Sequence, residues 1–124
     1  MSEIKVLSTG LIYRNPKPYL RSVHAYFPSV VHLGGGEMLA AMVFGSAFEA
    51  VDCHTEVARS LDDGQTWTLE GPLDPRAPHP GISDIYKIAW DGREVIAFGA
   101  KYFRDNPDEG LTNPANVGFC NDPG

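Results

Sequence analysis

Thirteen glycines and ten prolines are spread through 124 residues, leaving few uninterrupted windows long enough for an α-helix. Strands are the alternative. Ser29-Val30-Val31-His32-Leu33 and Glu37-Met38-Leu39-Ala40-Ala41-Met42-Val43-Phe44 flank Gly34-Gly35-Gly36, which predicts two antiparallel strands joined by a turn that tolerates positive φ. A phosphate-cradling loop would need a helix start and a Lys-Ser/Thr after the glycines, and neither follows. The same layout returns as Tyr86-Lys87-Ile88-Ala89-Trp90, the turn Asp91-Gly92-Arg93, and Glu94-Val95-Ile96-Ala97-Phe98-Gly99-Ala100. Setting Gly36 on Gly92 gives an offset of 92 − 36 = 56, under which Leu39 meets Val95, Ala41 meets Ala97 and Met42 meets Phe98. Apolar character is matched along a whole strand, the mark of an internal repeat.

A second echo runs at an offset of 60, where Val57-Ala58-Arg59-Ser60-Leu61-Asp62-Asp63-Gly64 lines up with Val117-Gly118-Phe119-Cys120-Asn121-Asp122-Pro123-Gly124. The Asp-x-Gly is kept, and Cys120 stands where Ser60 stood. The extra four residues fall in the loop-like segment 104–110, where insertions cost little. In the first copy the run continues through Gln65 and Thr66 to Trp67. Such a stretch builds a hairpin turn: Asp62 accepts backbone N–H groups, Gly64 takes the positive φ of a short bulged loop, and the Ser60 and Thr66 hydroxyls complete the bonding. Trp67 then opens the next strand with a side chain suited to packing between sheets. Asp62 and Asp63 alone supply too few oxygens, at the wrong spacing, for a calcium loop.

Ser-x-Asp-x-Gly-x-Thr-Trp resembles the Asp-box, or BNR repeat, of the sialidase (neuraminidase) superfamily. The resemblance implies an all-β fold of four-stranded antiparallel blades in a propeller, six-bladed in the family, with the box at the turn between a blade's third and fourth strands, on the face away from the active site. Residues 26–70 then read as one blade, with strands near 28–33, 37–44, 54–60 and 66–70, and residues 84–124 as an incomplete second blade. Two blades cannot close a ring, so the expectation is an N-terminal part of a longer propeller, or several copies completing one between them.

The resemblance also indicates where chemistry would lie. Sialidases are similar around an Arg-Ile-Pro segment on the first strand; the matching place here is Tyr26-Phe27-Pro28, so the arginine that would clamp a sialic acid carboxylate is not there. Arg21, five residues earlier, is the nearest substitute, and the plainer reading of it is a solvated loop charge. The family's acid/base aspartate lies in the loop between the second and third strands, which makes Asp52 the catalytic candidate, with Glu49 second; the nucleophilic Tyr-Glu pair and further arginines would lie beyond residue 124. Tyr26 and His24 are the candidate substrate contacts, and Tyr26, Phe27, Trp90, Tyr102 and Phe103 are the aromatics available to stack on sugar rings or to fill the core. The implied ligand is a glycan or glycoside, neutral or uronic rather than sialic; the other reading is a non-catalytic propeller used for protein contacts.

Bulk properties narrow the field. The chain has the length of one modest domain. Ten basic and sixteen acidic side chains give a net charge of −6 with no basic cluster, which argues against nucleic acid and anionic lipid. No stretch approaches the ~18 apolar residues of a membrane span. Met1-Ser2-Glu3-Ile4-Lys5 lacks a secretory layout, which favours the cytoplasm. Cys53 and Cys120 read as two thiols rather than a disulfide framework, and His24, His32, His54 and His79 show no zinc spacing, so neither metal nor cofactor is expected.

Overall fold

A computed structural model describes residues 2–16, 23–79 and 81–104. Six strands and no helix appear among them: β1 (His24–Gly34), β2 (Glu37–Gly45), β3 (His54–Ser60), β4 (Thr68–Pro72), β5 (Ile82–Trp90) and β6 (Val95–Phe103). The first four form an antiparallel meander in the order β1-β2-β3-β4, and the last two a separate antiparallel hairpin. The third strand expected for the second repeat, and Cys120 with it, lie outside the described residues.

The strand–turn–strand read at 29–44 is a hairpin in which Gly34 pairs with Glu37, and Gly34, Gly35 and Gly36 all have positive φ (101°, 60° and 84°). Three left-handed residues in succession are tolerable only without a Cβ. Its repeat at 86–100 is the β5–β6 hairpin, longer than expected because Ile82 to Ile85 also pair, with Phe103 back to Ala100. β4 starts at Thr68 rather than at residue 66. Thr66 is engaged with Asp62 through both its N–H and its hydroxyl, so its backbone donor is not available to extend the ladder.

β2 carries the core. From Leu39 to Gly45 every residue is buried, because alternate side chains point to opposite faces and both faces are covered. On one face Leu39 and Ala41 pack with Ile88 of β5, and Val31, Leu33, Val57, Leu73 and Val95 close around them. On the other, Ala40, Met42, Phe44 and Ala58 are covered by Trp67 and by Ile12 and Tyr13 of the N-terminal segment, the Tyr13 ring lying 4.4 Å from that of Phe44. Trp67 thus packs on the face away from the second hairpin rather than between the sheets. Burying Leu39, Ala41 and Ile88 together supplies several kcal/mol, at about 25 cal/mol per Å² of apolar surface, to hold the hairpin on the meander.

Buried hydrogen bonds fix how the hairpin sits. Thr55, fully buried, donates its N–H to Asp84 Oδ1 (2.8 Å) and accepts from Tyr86 N–H through Oγ1 (3.0 Å). Ser29 Oγ accepts from Ile88 N–H at 3.0 Å, and Lys87 Nζ donates to the carbonyls of Phe27 and Pro28. That lysine secures a β-bulge between Tyr26 and Ser29, where Phe27 takes a left-handed φ of 50°.

Candidate functional site

In a meander, alternate connections fall at the same end. The β1–β2 turn and the Ser60–Trp67 turn therefore share one end, while the β2–β3 loop and the start of β1 share the other.

At the first end, Ser60 Oγ donates to Asp62 Oδ1 (2.8 Å) and accepts from the N–H of Gly64 (2.8 Å) and of Asp62 (3.3 Å). Asp62 in turn accepts the Thr66 N–H (2.8 Å) and the Thr66 hydroxyl (2.5 Å). The Trp67 indole N–H closes on Gly64 O at 2.9 Å, and Asp63 N–H reaches across to Gly36 O. The Thr66 hydroxyl first, then the Thr66 N–H and the Ser60 hydroxyl, hold the Asp62 carboxyl down at about 2. Ser60, Asp62, Gly64, Thr66 and Trp67 are thus bonded to one another as a closed structural unit, while Asp63 ties the turn to the β1–β2 hairpin.

At the opposite end lies a cleft of about 190 Å³ between the meander and the hairpin. Tyr26, Phe27, Phe48 and Glu49 form one wall, above Val43 and Cys53; Asp84, Ile85, Tyr102 and Arg104 form the other. Its volume is below the ~300 Å³ of drug-sized sites and suits a single small ring. Tyr26, Phe27 and Phe48 make a cluster with centroids 5.9–6.3 Å apart, the Phe48 ring steeply inclined to both others (81° and 60°). Phe27, Phe48 and Tyr102 remain 45%, 58% and 47% exposed, unusual for rings this large. Arg104 is held by its Nε–H to the buried Ser83 Oγ (2.8 Å), by its backbone N–H to Gly81 O, and by the Tyr102 ring at 5.4 Å. Burial first, then the charges of Cys53 and Asp52, raise the Tyr26 hydroxyl above its ordinary value. Burial likewise raises the Cys53 thiol, with Asp52 adding to it, so this free cysteine stays protonated near neutral pH.

The β2–β3 loop assigns its two carboxylates differently. Both oxygens of Asp52 accept from Ser46 N–H (3.2 and 3.1 Å) and Oδ1 also from the Ser46 hydroxyl (2.9 Å), which pins the loop across its base. Asp52 is not among the residues lining the cleft; Glu49 is. His24 also stands apart, its Nδ1 3.5 Å from Asn15 Nδ2 and its ring 5.8 Å from that of Tyr26. Arg21 lies outside the described residues. Trp90 and Phe103 do not reach the cleft, whereas Tyr26, Phe27 and Tyr102 line it. Sequence reasoning did not single out Phe48, Asp84 or Arg104; an aromatic placed beside small residues in a loop, Ser46-Ala47-Phe48-Glu49-Ala50, was the available signal.

A neighbouring hollow shares Asp84 and is lined also by Asp74, Arg76 and Lys101. There Asp74 accepts from both Arg76 (2.9 Å) and Lys101 (2.5 Å), an ion-paired tie from the β4–β5 connection to β6. Among the described residues no group of three or more His, Cys, Asp or Glu is arranged to hold a metal ion. His32 is bonded to Asp63, and His54 to Glu56 and to the Asp52 carbonyl.

No protein-family model, curated protein or solved structure matches the chain.

Proposed function

We propose that the chain contributes blades of a sialidase-like Asp-box propeller and that the cleft between its two sheets binds a glycan, as a glycosidase subsite or as a lectin-type site. One observation carries the reading: an exposed aromatic cleft with Glu49, Asp84 and Arg104 lies at the end of the meander opposite the self-satisfied Ser60–Trp67 turn. Aromatic faces stack on the apolar C–H faces of a pyranose, while carboxylates accept from, and a guanidinium donates to, its hydroxyl groups. The position of the turn between β3 and β4 supports the Asp-box resemblance. In place of a sialidase arginine, Tyr26 and Phe27 occupy the start of β1, which supports a neutral or uronic sugar over a sialic acid.

An immobilised glycan array together with a panel of aryl glycosides tests this on the purified protein. Binding or hydrolysis confined to a class of pyranosides is expected, and silence on every sugar overturns it. The second reading, a scaffold for protein contacts, is favoured by the exposure of Ile96 and Phe98 on the outer strand β6 (47% and 55%). Mutating those two positions to serine separates the readings: sugar binding persists under the first, and partner capture is lost under the second.

A further inference from the structure

Among the described residues, three other than glycine take a left-handed φ: Phe27 at 50°, Glu49 at 57° and Asp63 at 57°. Asp63 belongs to a residue type enriched in that region and sits in the Ser60–Trp67 turn. Phe and Glu are poor occupants of it, and both line the cleft. Such strain persists only where the surroundings over-determine the backbone, and it gathers at functional sites. Around Glu49 the over-determination is explicit. Ala50 N–H bonds to Ala47 O and Cys53 N–H to Ala50 O, both at 3.1 Å; the Cys53 thiol donates to Ala47 O; and Asp52 ties the loop to Ser46. Four restraints fix a loop whose centre displays Phe48 and Glu49.

Resting on the glycan reading above, we propose that Glu49 is the ligand-binding carboxyl of the cleft and that its left-handed backbone is strain retained for that role. Its two carboxyl oxygens are acceptors, so it selects a ring that offers two adjacent free hydroxyl groups. Arg104, anchored by Ser83 and Tyr102 on the facing wall, supplies the complementary donors to ring or hydroxyl oxygens. The ligand class is therefore a single unsubstituted pyranose, stacked against Phe48 and Phe27.

Glycine is the residue best suited to φ +57°, so Glu49→Gly separates function from folding. The experiment is calorimetric titration of the protein with a set of methyl hexopyranosides and methyl hexopyranosiduronates, with their O-permethylated counterparts as controls, alongside thermal melts. Glu49→Gly is expected to keep or raise Tm while weakening binding of the best methyl pyranoside at least tenfold. Glu49→Gln, which retains shape but offers one acceptor oxygen in place of two, weakens binding at unchanged Tm, and permethylated sugars do not bind the wild type. Wild-type binding that either variant matches, or a Glu49→Gly protein with a clearly lowered Tm, overturns the assignment of Glu49 and leaves the glycan reading standing. A wild type that binds none of the methyl glycosides removes both.

Discussion

Replacing Ser60 by alanine tests whether the Ser60–Trp67 turn serves folding alone. Ser60 is 1% exposed, and its hydroxyl is the acceptor for Gly64 N–H and the weaker acceptor for Asp62 N–H, as well as a donor to Asp62 Oδ1. Alanine fits the space but removes all three bonds. A fully buried donor left unpaired costs about 1–3 kcal/mol, and because Gly64 is only half-buried, water recovers part of that, placing the cost at about 1–2 kcal/mol. With roughly 4 °C of Tm for each kcal/mol in a domain near this size, the melt shifts down by about 4–8 °C. Differential scanning calorimetry reads the shift, and titration with methyl pyranosides reads the cleft at the opposite end of the meander. The expected result is lowered stability with unchanged affinity in the folded protein. A Tm within about 1 °C of wild type would refute the hydrogen-bond accounting, and lost affinity without lost stability would refute the separation of the two ends.

Three further outcomes test the turn, the β2–β3 loop and the β5–β6 pairing in turn. The Asp62 carboxyl is held down at about 2 from an ordinary 3.8, so its ionised, hydrogen-bonded form favours the folded state above pH 3.8 and that contribution is lost as pH falls towards 2. Melting followed by circular dichroism from pH 5 to pH 2 should show a steep loss of Tm that Asp62→Asn flattens; parallel curves would contradict it. Asp52→Ala removes three bonds to Ser46 and should lower stability by about 1 kcal/mol, read as a shifted urea midpoint, and an unmoved midpoint would dismiss its role in pinning the loop. At Gly99 an added Cβ would lie 1.9 Å from Ile85 O and 2.8 Å from Tyr86 Cα, so Gly99→Ala should cost more than about 3 kcal/mol by forcing β5 and β6 apart, and a soluble variant with wild-type Tm would rule out that close pairing.

What was legible in the sequence was local. The Gly34–Gly36 turn, its echo at Gly92 and the bonding of Ser60, Asp62 and Thr66 each close within a few residues, so residue type and spacing decide them before any long-range contact forms. The all-β class follows for the same reason, since glycine and proline interrupt helix wherever the chain would extend it. The cleft had no such signature. Its walls come from the start of β1, the β2–β3 loop, the start of β5 and the end of β6, and only the packing of Ile88 on Leu39 and Ala41, together with the Thr55–Asp84 bond, brings them together. Asp52 and Glu49 are near neighbours with the same charge, and nothing in their order tells which one faces the cleft. Two successive turns and the Ser46 contacts decide that: they commit the Asp52 oxygens to the loop itself and leave Glu49, on a left-handed backbone no propensity would favour, in the wall of the site. Local hydrogen bonding is encoded by neighbours in the chain, whereas the direction in which a loop displays its side chains is set by the surfaces that fold back against it.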